Sequence, residues 1–362
     1  MTTIIFLIVL AVLIFVHELG HFLFARWNGI RVDEFKIGFG PRIISWGKGE
    51  TKYGLNLIPF GGYVKIHGEN PDDESINGSD KDRSFVNKKA WQKVIVLVAG
   101  VTFNFIFAWI IYSVVFIFGV TAAPESFEKY SEDFKNQRIM ITTISPASPA
   151  EKVGLKVGDI IYGVNQSDKI SIEEIQNAIN SSNGNAILIK YNRNGIDMQA
   201  EPLPVQGLVK DKYAIGIAMN EAVDVKLPFF SAIYEGAHYT LVMIRDTAIG
   251  LYDFIINIFR GKANFSDVSG PVGIAGIVGG AAELGFKYLL MITALISINL
   301  GVINLVPFPA LDGGRVLIVL IESAMRNKLK PIYANTVNAI GFVLLMILMV
   351  VVTYKDIAKM FR

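Results

Sequence analysis

The stretch that decides the fold is residues 4–25, IIFLIVLAVLIFVHELGHFLFA. About 20 mostly apolar residues are enough to cross a bilayer, so this stretch predicts a membrane-spanning helix. It nevertheless contains Glu18, and a carboxylate near the bilayer centre costs on the order of 2.5–3.5 kcal/mol on insertion scales. An ionisable group at such a depth therefore indicates a functional site.

Glu18 is part of the pattern His17-Glu18-Leu19-Gly20-His21. Positions i and i+4 share one face of a helix, so both imidazoles can bind a single Zn²⁺. Glu18 lies beside them, where it can take a proton from a water that the metal activates. The pattern predicts a hydrolase whose active site lies within the membrane.

The composition narrows the choice of protein class. The chain has 362 residues, of which 52% are hydrophobic, and this fraction favours a membrane protein over an ordinary soluble one. A net charge of +2 without a basic block gives no indication of nucleic-acid binding. There is no cysteine, so histidines and carboxylates must hold any metal.

Four stretches are long and apolar enough to cross a bilayer: 3–25, 94–120, 287–308 and 332–354. We expect the first to be a retained span, since no positive segment precedes it and no small-residue cleavage site follows it. The predicted fold is a mainly α-helical polytopic membrane protein with four transmembrane helices. Its predicted parts are 1–120, a first membrane half; 121–222, an inserted domain; 223–286, membrane-surface helices; and 287–362, a second membrane half.

Basic residues orient these spans, because lysine and arginine near span ends favour the cytoplasmic side. They cluster in the loop 26–93 and in the turn 326–330, so both are predicted to be cytoplasmic. Both termini and residues 121–286 then lie outside, although the basic segment 355–362 argues weakly against this. An apolar stretch with several charges, 228–259, predicts an amphipathic helix on the membrane surface.

The inserted domain shows its own pattern of short elements. Predicted strands are 139–145, 159–164, 186–191 and 196–200, and predicted helices are 149–153 and 172–179. Ser171 and Glu174 form a capping box for the second helix. Asn194-Gly195 is typical of a β-hairpin turn.

Two histidines leave a catalytic zinc site one protein ligand short, and Asp312 is the candidate for it. It follows the third span in NLVPFPALDGG, residues 304–314. His17 lies about 21 Å along the first helix, which places it in the cytoplasmic half of the bilayer, where the third span also ends. Prolines break the helix there, and Gly313-Gly314 permit unusual backbone angles. Irregular backbone at this depth predicts a water-filled pocket.

Other polar residues in or near the spans have simpler interpretations. Asn104 is interpreted as a residue that hydrogen-bonds a neighbouring helix. For Asn304 this role and a catalytic role are equally weighted. His67 and His238 have no metal-ligand spacing and are expected to be surface or interfacial residues.

With HELGH and NLVPFPALDGG both present, the chain resembles the site-2 proteases, in particular the bacterial RseP type. The likeness extends over nearly the whole length, including IPFGGYVK at 58–65 and SGPVGI at 269–274. It implies that His17, His21 and Asp312 bind Zn²⁺ and that Glu18 is the catalytic base. It links Asn304 to substrate handling, and implies a bacterial inner-membrane location.

The resemblance also implies that the segment Tyr53–His67 is a membrane-reentrant β-hairpin, with Gly61, Gly62 and Tyr63 near the substrate. A helix must unwind before its peptide bonds can be attacked, and a strand edge offsets the cost of unpaired backbone in lipid. Pro59, Gly61 and Gly62 suit the turn of such a hairpin. An ordinary cytoplasmic hairpin is the alternative.

The motifs SPASPA at 145–150 and VGLKVGDI at 153–160 make the inserted α+β domain resemble a PDZ domain. Such domains bind extended peptides by strand addition. Enterobacterial relatives carry two, whereas this chain has room for one.

The predicted function is zinc-dependent intramembrane cleavage of single-span membrane proteins or remnant signal peptides. The predicted partners are substrate helices, the lipid bilayer and, more weakly, an extended peptide. Two alternatives are a non-catalytic PDZ scaffold and a metal transporter with the three ligands as a transit site.

Overall fold

The structure is a computed structural model that describes residues 2–47, 49–122, 135–167, 171–193, 195–209, 212–262, 268–327 and 329–360. Asn194 of the predicted hairpin turn, and Lys328 and Arg362 of the charge argument, lie outside these residues.

The helices are α1 Thr2–Trp27, α2 Asp73–Asn77, α3 Ala90–Phe118, α4 Pro149–Lys152, α5 Ile172–Ser181, α6 Phe229–Phe259, α7 Pro271–Leu284, α8 Phe286–Leu305, α9 Asp312–Met325 and α10 Pro331–Met360. The strands are β1 Val32–Trp46, β2 Lys52–Ile66, β3 Val120–Ala122, β4 Lys135–Ile144, β5 Ile160–Val164, β6 Ile189–Arg193, β7 Ile196–Ala200, β8 Val205–Val209, β9 Lys212–Ala214 and β10 Ile217–Val225. The chain forms two compact units, one of residues 1–114 and 233–362 and the other of Val115–Ala232.

Four helices among the described residues are long and apolar enough to cross a membrane, as predicted: α1, α3, α8 and α10. Several predicted ends differ from the observed ones: α10 continues to Met360, six residues beyond its predicted end, and two other differences have a clear cause. Helix α8 ends at Leu305, because Pro307 follows and cannot continue a helix. Helix α3 begins at Ala90, four residues before the predicted start, because the polar Gln92 and Lys93 in its first turn lower the hydropathy but still favour a helix.

Strands β1 and β2 form an antiparallel two-stranded sheet with several register shifts. Ile37 lies opposite both Leu55 and Gly62, so the chain turns back between these two residues. Gly61 has a φ of 103° at this turn, a backbone conformation that favours glycine. The chain therefore turns in this segment, but residues 34–37 of β1 lie between its two arms, and the predicted membrane-reentrant hairpin stays a prediction.

A buried apolar cluster fixes this sheet against α1, α3 and α9. Its members are Phe22, Ala25, Ile30, Val32, Phe35, Val64, Ile66, Phe85, Val96, Leu97 and Val319. Close packing of such side chains adds dispersion contacts, which hold helices together in a membrane as well as in water. The cluster therefore holds the helix that carries HELGH against the helix that begins at Asp312.

The helix predicted at 228–259 is present as α6. It packs against α3, where Gly236 lies so close to Ser113 that an added Cβ would be 2.3 Å from the Ser113 hydroxyl. Further along, the Thr247 hydroxyl lies 3.2 Å from Oδ1 of Asn299 in α8. Helix α6 is thus attached to two of the apolar helices, and its place at the membrane surface stays a prediction.

The unit Val115–Ala232 is built on a six-stranded sheet in the order β3-β10-β4-β5-β6-β7. All four predicted strands and both predicted helices have counterparts in it, and the capping box of Ser171 and Glu174 is present. Strand β10 lies between β3 and β4 and escaped prediction. Its Asn220, Glu221 and Asp224 are poor strand formers. The segment is a strand because it pairs with β4, a contact that the local sequence does not reveal.

Helix α7 receives its N-terminal cap from α10. Its N-cap residue is Gly270, which has no side chain, and the buried Asp356 accepts a hydrogen bond of 2.8 Å from the Gly273 N–H. The first amides of a helix have no partner within it and carry partial positive charge, so a carboxylate there is stabilising. Val278 of α7 is buried against α1, so this contact braces α1 as well.

We expect Asp356→Ala to lower the free energy of unfolding by about 1–2 kcal/mol, the cost of losing a helix cap. The thermal midpoint in detergent measures the change, with Asp246→Ala, which removes a half-exposed carboxylate, as control. A midpoint equal to that of the control would contradict the capping role.

Candidate metal centre and active site

Two histidines of α1 and a carboxylate from a distant part of the sequence meet between α1 and the start of α9. The Nε2 atoms of His17 and His21 are 3.2 Å apart. Oδ2 of Asp312 lies 3.2 Å from Nε2 of His17 and 3.3 Å from Nε2 of His21. The structure therefore brings together the three residues that the sequence analysis grouped, and no other described His, Asp or Glu residues form such a group.

This geometry suits a small tetrahedral cation. Ligand atoms at about 2.0–2.1 Å from zinc in a tetrahedral site are about 3.3–3.4 Å from one another. Oδ2 of Asp312 is buried and has no hydrogen-bond partner. Buried polar atoms are rarely left without a partner, so the donor set and its orphan oxygen fit a bound Zn²⁺.

Helix α3 supplies the outer contacts of both imidazoles. Nδ1 of His21 lies 2.9 Å from the backbone oxygen of Val96. Nδ1 of His17 lies 3.1 Å from the amide of Asn104, which is fully buried. Asn104 does hydrogen-bond a neighbouring helix, as predicted, and its partner is a histidine of the centre. Asn104 could be singled out in the sequence because it is a polar residue in an otherwise apolar span. Val96 could not, because it contributes a backbone oxygen that every residue has.

Two glycines allow α1 and α3 to approach closely enough for these contacts. A Cβ on Gly20 would lie 2.4 Å from the Ala99 oxygen, and a Cβ on Gly100 would lie 2.4 Å from Nε2 of His21. Small residues at helix crossings permit such approach in membrane proteins. Gly20 of HELGH is thus needed where the two helices pack together.

The loop before α9 brings Asp312 into place. Ala310 has a φ of 73°, a strained conformation for a residue with a Cβ, and its N–H donates to Oδ1 of Asn338 in α10 at 3.4 Å. Gly313 and Gly314, which permit unusual backbone angles, do not adopt them here, because both lie in helix α9. They are instead required by close approach: a Cβ on either would lie under 2.5 Å from a loop carbonyl oxygen.

Glu18 lies next to strand β2. Its Oε2 accepts a hydrogen bond of 3.0 Å from the Val64 N–H. Gly62, two residues earlier, faces α1, and an added Cβ would lie 2.9 Å from Cγ2 of Ile14. Tyr63 donates from its hydroxyl to Oε2 of Glu34 at 2.8 Å. The predicted substrate residues Gly61, Gly62 and Tyr63 therefore lie on the strand that contacts the predicted base.

Asn304, also predicted to handle substrate, lies half-buried in the last turn of α8. Within the described part of the chain, no hydrogen bond links it to His17, His21 or Asp312. It precedes the loop to Asp312, and the structure leaves its role untested.

A cavity of about 530 Å³ opens onto the three side chains and onto Glu18. Its wall is polar and includes Arg31, Asp33, Glu69, Asp72 and Arg315. This agrees with the water-filled pocket predicted beside the loop.

Charged pairs line the wall of this cavity. Arg315 forms an ion pair with Glu69. Hydrogen bonds to Asp33 and Asp80 raise the pKa of Arg31, and the hydrogen bond from Ser75 lowers the pKa of Asp72. Charged side chains that are paired in this way favour water over lipid at the cavity wall.

His67 also lines the cavity and is buried, so it is not a surface residue, and its predicted interfacial position stays a prediction. The chain folds back at 66–69 and covers it, since its backbone pairs with both Arg31 and Phe85. His238 is exposed, as predicted.

Comparison with known proteins gives consistent results. The sequence model of peptidase family M50 matches residues 5–348. A protein of Clostridium acetobutylicum, provisionally named a zinc metalloprotease, is 37% identical over 350 residues, or 96% of this chain and 94% of its own. Zinc metalloprotease RasP of Oceanobacillus iheyensis is 28% identical over all of both chains, and RasP of Geobacillus kaustophilus is 28% identical over 98% of this chain and 97% of its own.

These relatives are bacterial, and together with the four apolar helices they indicate a bacterial membrane protein. The match runs through both halves of the metal centre, from the HELGH helix to Asp312 and beyond. The chain therefore belongs to peptidase family M50, the site-2 proteases, and is a zinc metalloprotease.

Proposed function

We propose that the protein is an intramembrane endopeptidase that cleaves transmembrane segments of single-span proteins or remnant signal peptides. The observation that carries the proposal is the meeting of His17, His21 and Asp312 on helices within the apolar bundle. Family membership favours proteolysis over a scaffold or a transporter. The substrate class is inferred from the proposed depth of the site, which a segment already in the membrane can reach.

The depth of the site is inferred from α1. His17 lies 15 residues after Thr2, about 22 Å along a helix, in a hydrocarbon core about 30 Å thick. With the N-terminus outside, as the basic loops favour, this puts the centre in the cytoplasmic half of the bilayer. The polar cavity then connects it with cytoplasmic water.

In the proposed reaction, His17, His21 and Asp312 hold Zn²⁺. When bound, zinc supplies Lewis acidity, which polarises the scissile carbonyl and eases deprotonation of water. Glu18 accepts the proton of the attacking water and then donates it to the leaving nitrogen. The Val64 N–H holds one oxygen of Glu18 in place, so the other oxygen can carry the proton.

The substrate is proposed to add as a strand along residues 61–66 of β2, within a hairpin that re-enters the membrane. Opposite this segment lies β1, so one side of it is already paired. Its other side contacts Glu18 through Val64, which places added backbone next to the base. Strand pairing would satisfy the peptide groups that unwinding exposes. Asn304 is proposed to contact the substrate near the loop to Asp312.

The unit Val115–Ala232 is proposed to be a PDZ domain that faces the outside. The support is its agreement with the predicted order of strands and helices and the two motifs at 145–150 and 153–160. An extended peptide is its proposed ligand.

Glu18→Gln is expected to lower kcat for a single-span substrate in detergent by at least about 100-fold, because the base is lost. Zinc content by mass spectrometry should stay unchanged, since the amide oxygen of the new side chain can still accept from the Val64 N–H. Glu173→Gln, an exposed change on α5, is the matched control. Wild-type turnover by Glu18→Gln would exclude the role, and unaltered zinc uptake into proteoliposomes would favour a transporter.

The strand-addition proposal is tested by disulfide cross-linking. The chain has no native cysteine, so each introduced cysteine is the one that can react. In the Glu18→Gln chain, Lys65→Cys should form a disulfide with a substrate that carries one cysteine near its cleavage site. Lys52→Cys, also exposed on β2 but on the other side of the β1 segment 34–37, should not. Equal cross-linking at both positions would contradict pairing along 61–66.

Orientation is tested by single-cysteine labelling of intact spheroplasts with a membrane-impermeant maleimide. Glu173→Cys, in the proposed outer unit, should be labelled before lysis, and Asn327→Cys only after it. Both residues are exposed, so accessibility in the fold does not limit the reaction. The reverse order would overturn the orientation.

A further inference from the structure

Asn104 has a buried polar atom without a hydrogen-bond partner, although it lies against the metal centre. The residue is fully buried on α3, and its Nδ2 lies 3.1 Å from Nδ1 of His17. Its Oδ1 has no partner. An orphan acceptor within an amide that already touches a histidine indicates that the amide can be oriented differently.

The chemistry of imidazole decides which orientation suits a metal. Nε2 of His17 faces Nε2 of His21 and Oδ2 of Asp312, so it must keep its lone pair free to bind a cation. The proton of neutral His17 then resides on Nδ1 and needs an acceptor. A nitrogen of Asn104 at this position would place two donors face to face.

Rotating the amide by 180° exchanges its oxygen and nitrogen within the same volume. Oδ1 of Asn104 then accepts from the Nδ1–H of His17. The exchange gives up no other hydrogen bond, since the contact with His17 is the one described for the Asn104 nitrogen.

His21 shows the same arrangement with a backbone group. Its Nδ1 lies 2.9 Å from the Val96 oxygen, which can only accept. This contact puts the proton on Nδ1 and leaves the Nε2 lone pair directed at the centre. Helix α3 thus faces both ligand histidines, and Asn104 is the side-chain counterpart of the Val96 carbonyl.

Asn104 is also held in position from its other side. Its backbone oxygen accepts a hydrogen bond of 2.9 Å from the buried Ser297 hydroxyl of α8. One turn earlier, Gly100 brings the α3 backbone against both imidazoles. These contacts fix the α3 backbone at Asn104 and leave the side-chain amide free to rotate.

We propose that Asn104 is a positioning residue of the metal centre, whose amide oxygen accepts the Nδ1 proton of His17 and directs the Nε2 lone pair to zinc. The inference rests on the proposed role of His17 as a ligand. It assigns to Asn104 a function beyond helix packing, and it predicts that a carboxylate can replace the amide.

The test is the zinc dissociation constant of the purified full chain, measured by competition with a chromogenic chelator. Asn104→Leu should weaken zinc binding by about 10–100-fold, the usual cost of losing such an outer contact. Asn104→Asp should stay within a few-fold of wild type, because a carboxylate accepts the same proton. Ser297→Ala removes the helix-packing bond to Asn104 but not the amide, and should leave zinc binding unchanged.

The outcomes separate the inference from the proposed function. Wild-type affinity in Asn104→Leu, or equal losses in Asn104→Leu and Asn104→Asp, would overturn the inference. Should Asn104→Leu not fold, a loss in Asn104→Asp as large as that in His17→Ala would overturn it as well. Wild-type zinc affinity in His17→Ala would instead overturn the ligand set on which the inference rests.

Discussion

Three electron-pair donors converge within 3.3 Å of one another among apolar helices, and the rest of the structure is organised around this meeting. Polar atoms brought together in such surroundings are costly unless something binds them. The family is one of zinc metalloproteases, so a cation is the natural partner. Without a cation, water would compete for these donor atoms and the side chains could separate. The fold must therefore hold α1 and α9 at a fixed separation.

Helix packing supplies that rigidity. Gly20 and Gly100 let α1 and α3 approach until the α3 backbone touches the imidazoles, and the sheet of β1 and β2 packs over the same helices. Helix α10 contributes from a distance, since Asn338 holds the strained loop before Asp312 and Asp356 caps α7. The last span thus supports both the loop that delivers the acid and the helix that braces α1.

Much of this could be predicted because it depends on local or periodic signals. The four spans follow from apolar length, and the pairing of Asp312 with HELGH follows from the depth at which the spans end. What escaped depends on contacts between distant segments. Val96 acts through a backbone oxygen that any residue could provide, and β10 is a strand because β4 pairs with it. For Gly313 and Gly314 the sequence suggested backbone freedom, whereas the structure shows that loop carbonyl oxygens leave no room for a Cβ. The sequence alone does not reveal such crowding.

The most direct test of the account is an anomalous difference map, calculated from crystals of the zinc-loaded chain at the zinc absorption edge. We predict one peak at about 2.0–2.2 Å from Nε2 of His17, Nε2 of His21 and a carboxylate oxygen of Asp312. A peak bound elsewhere, or one that contacts the histidines while Asp312 points away, would contradict it.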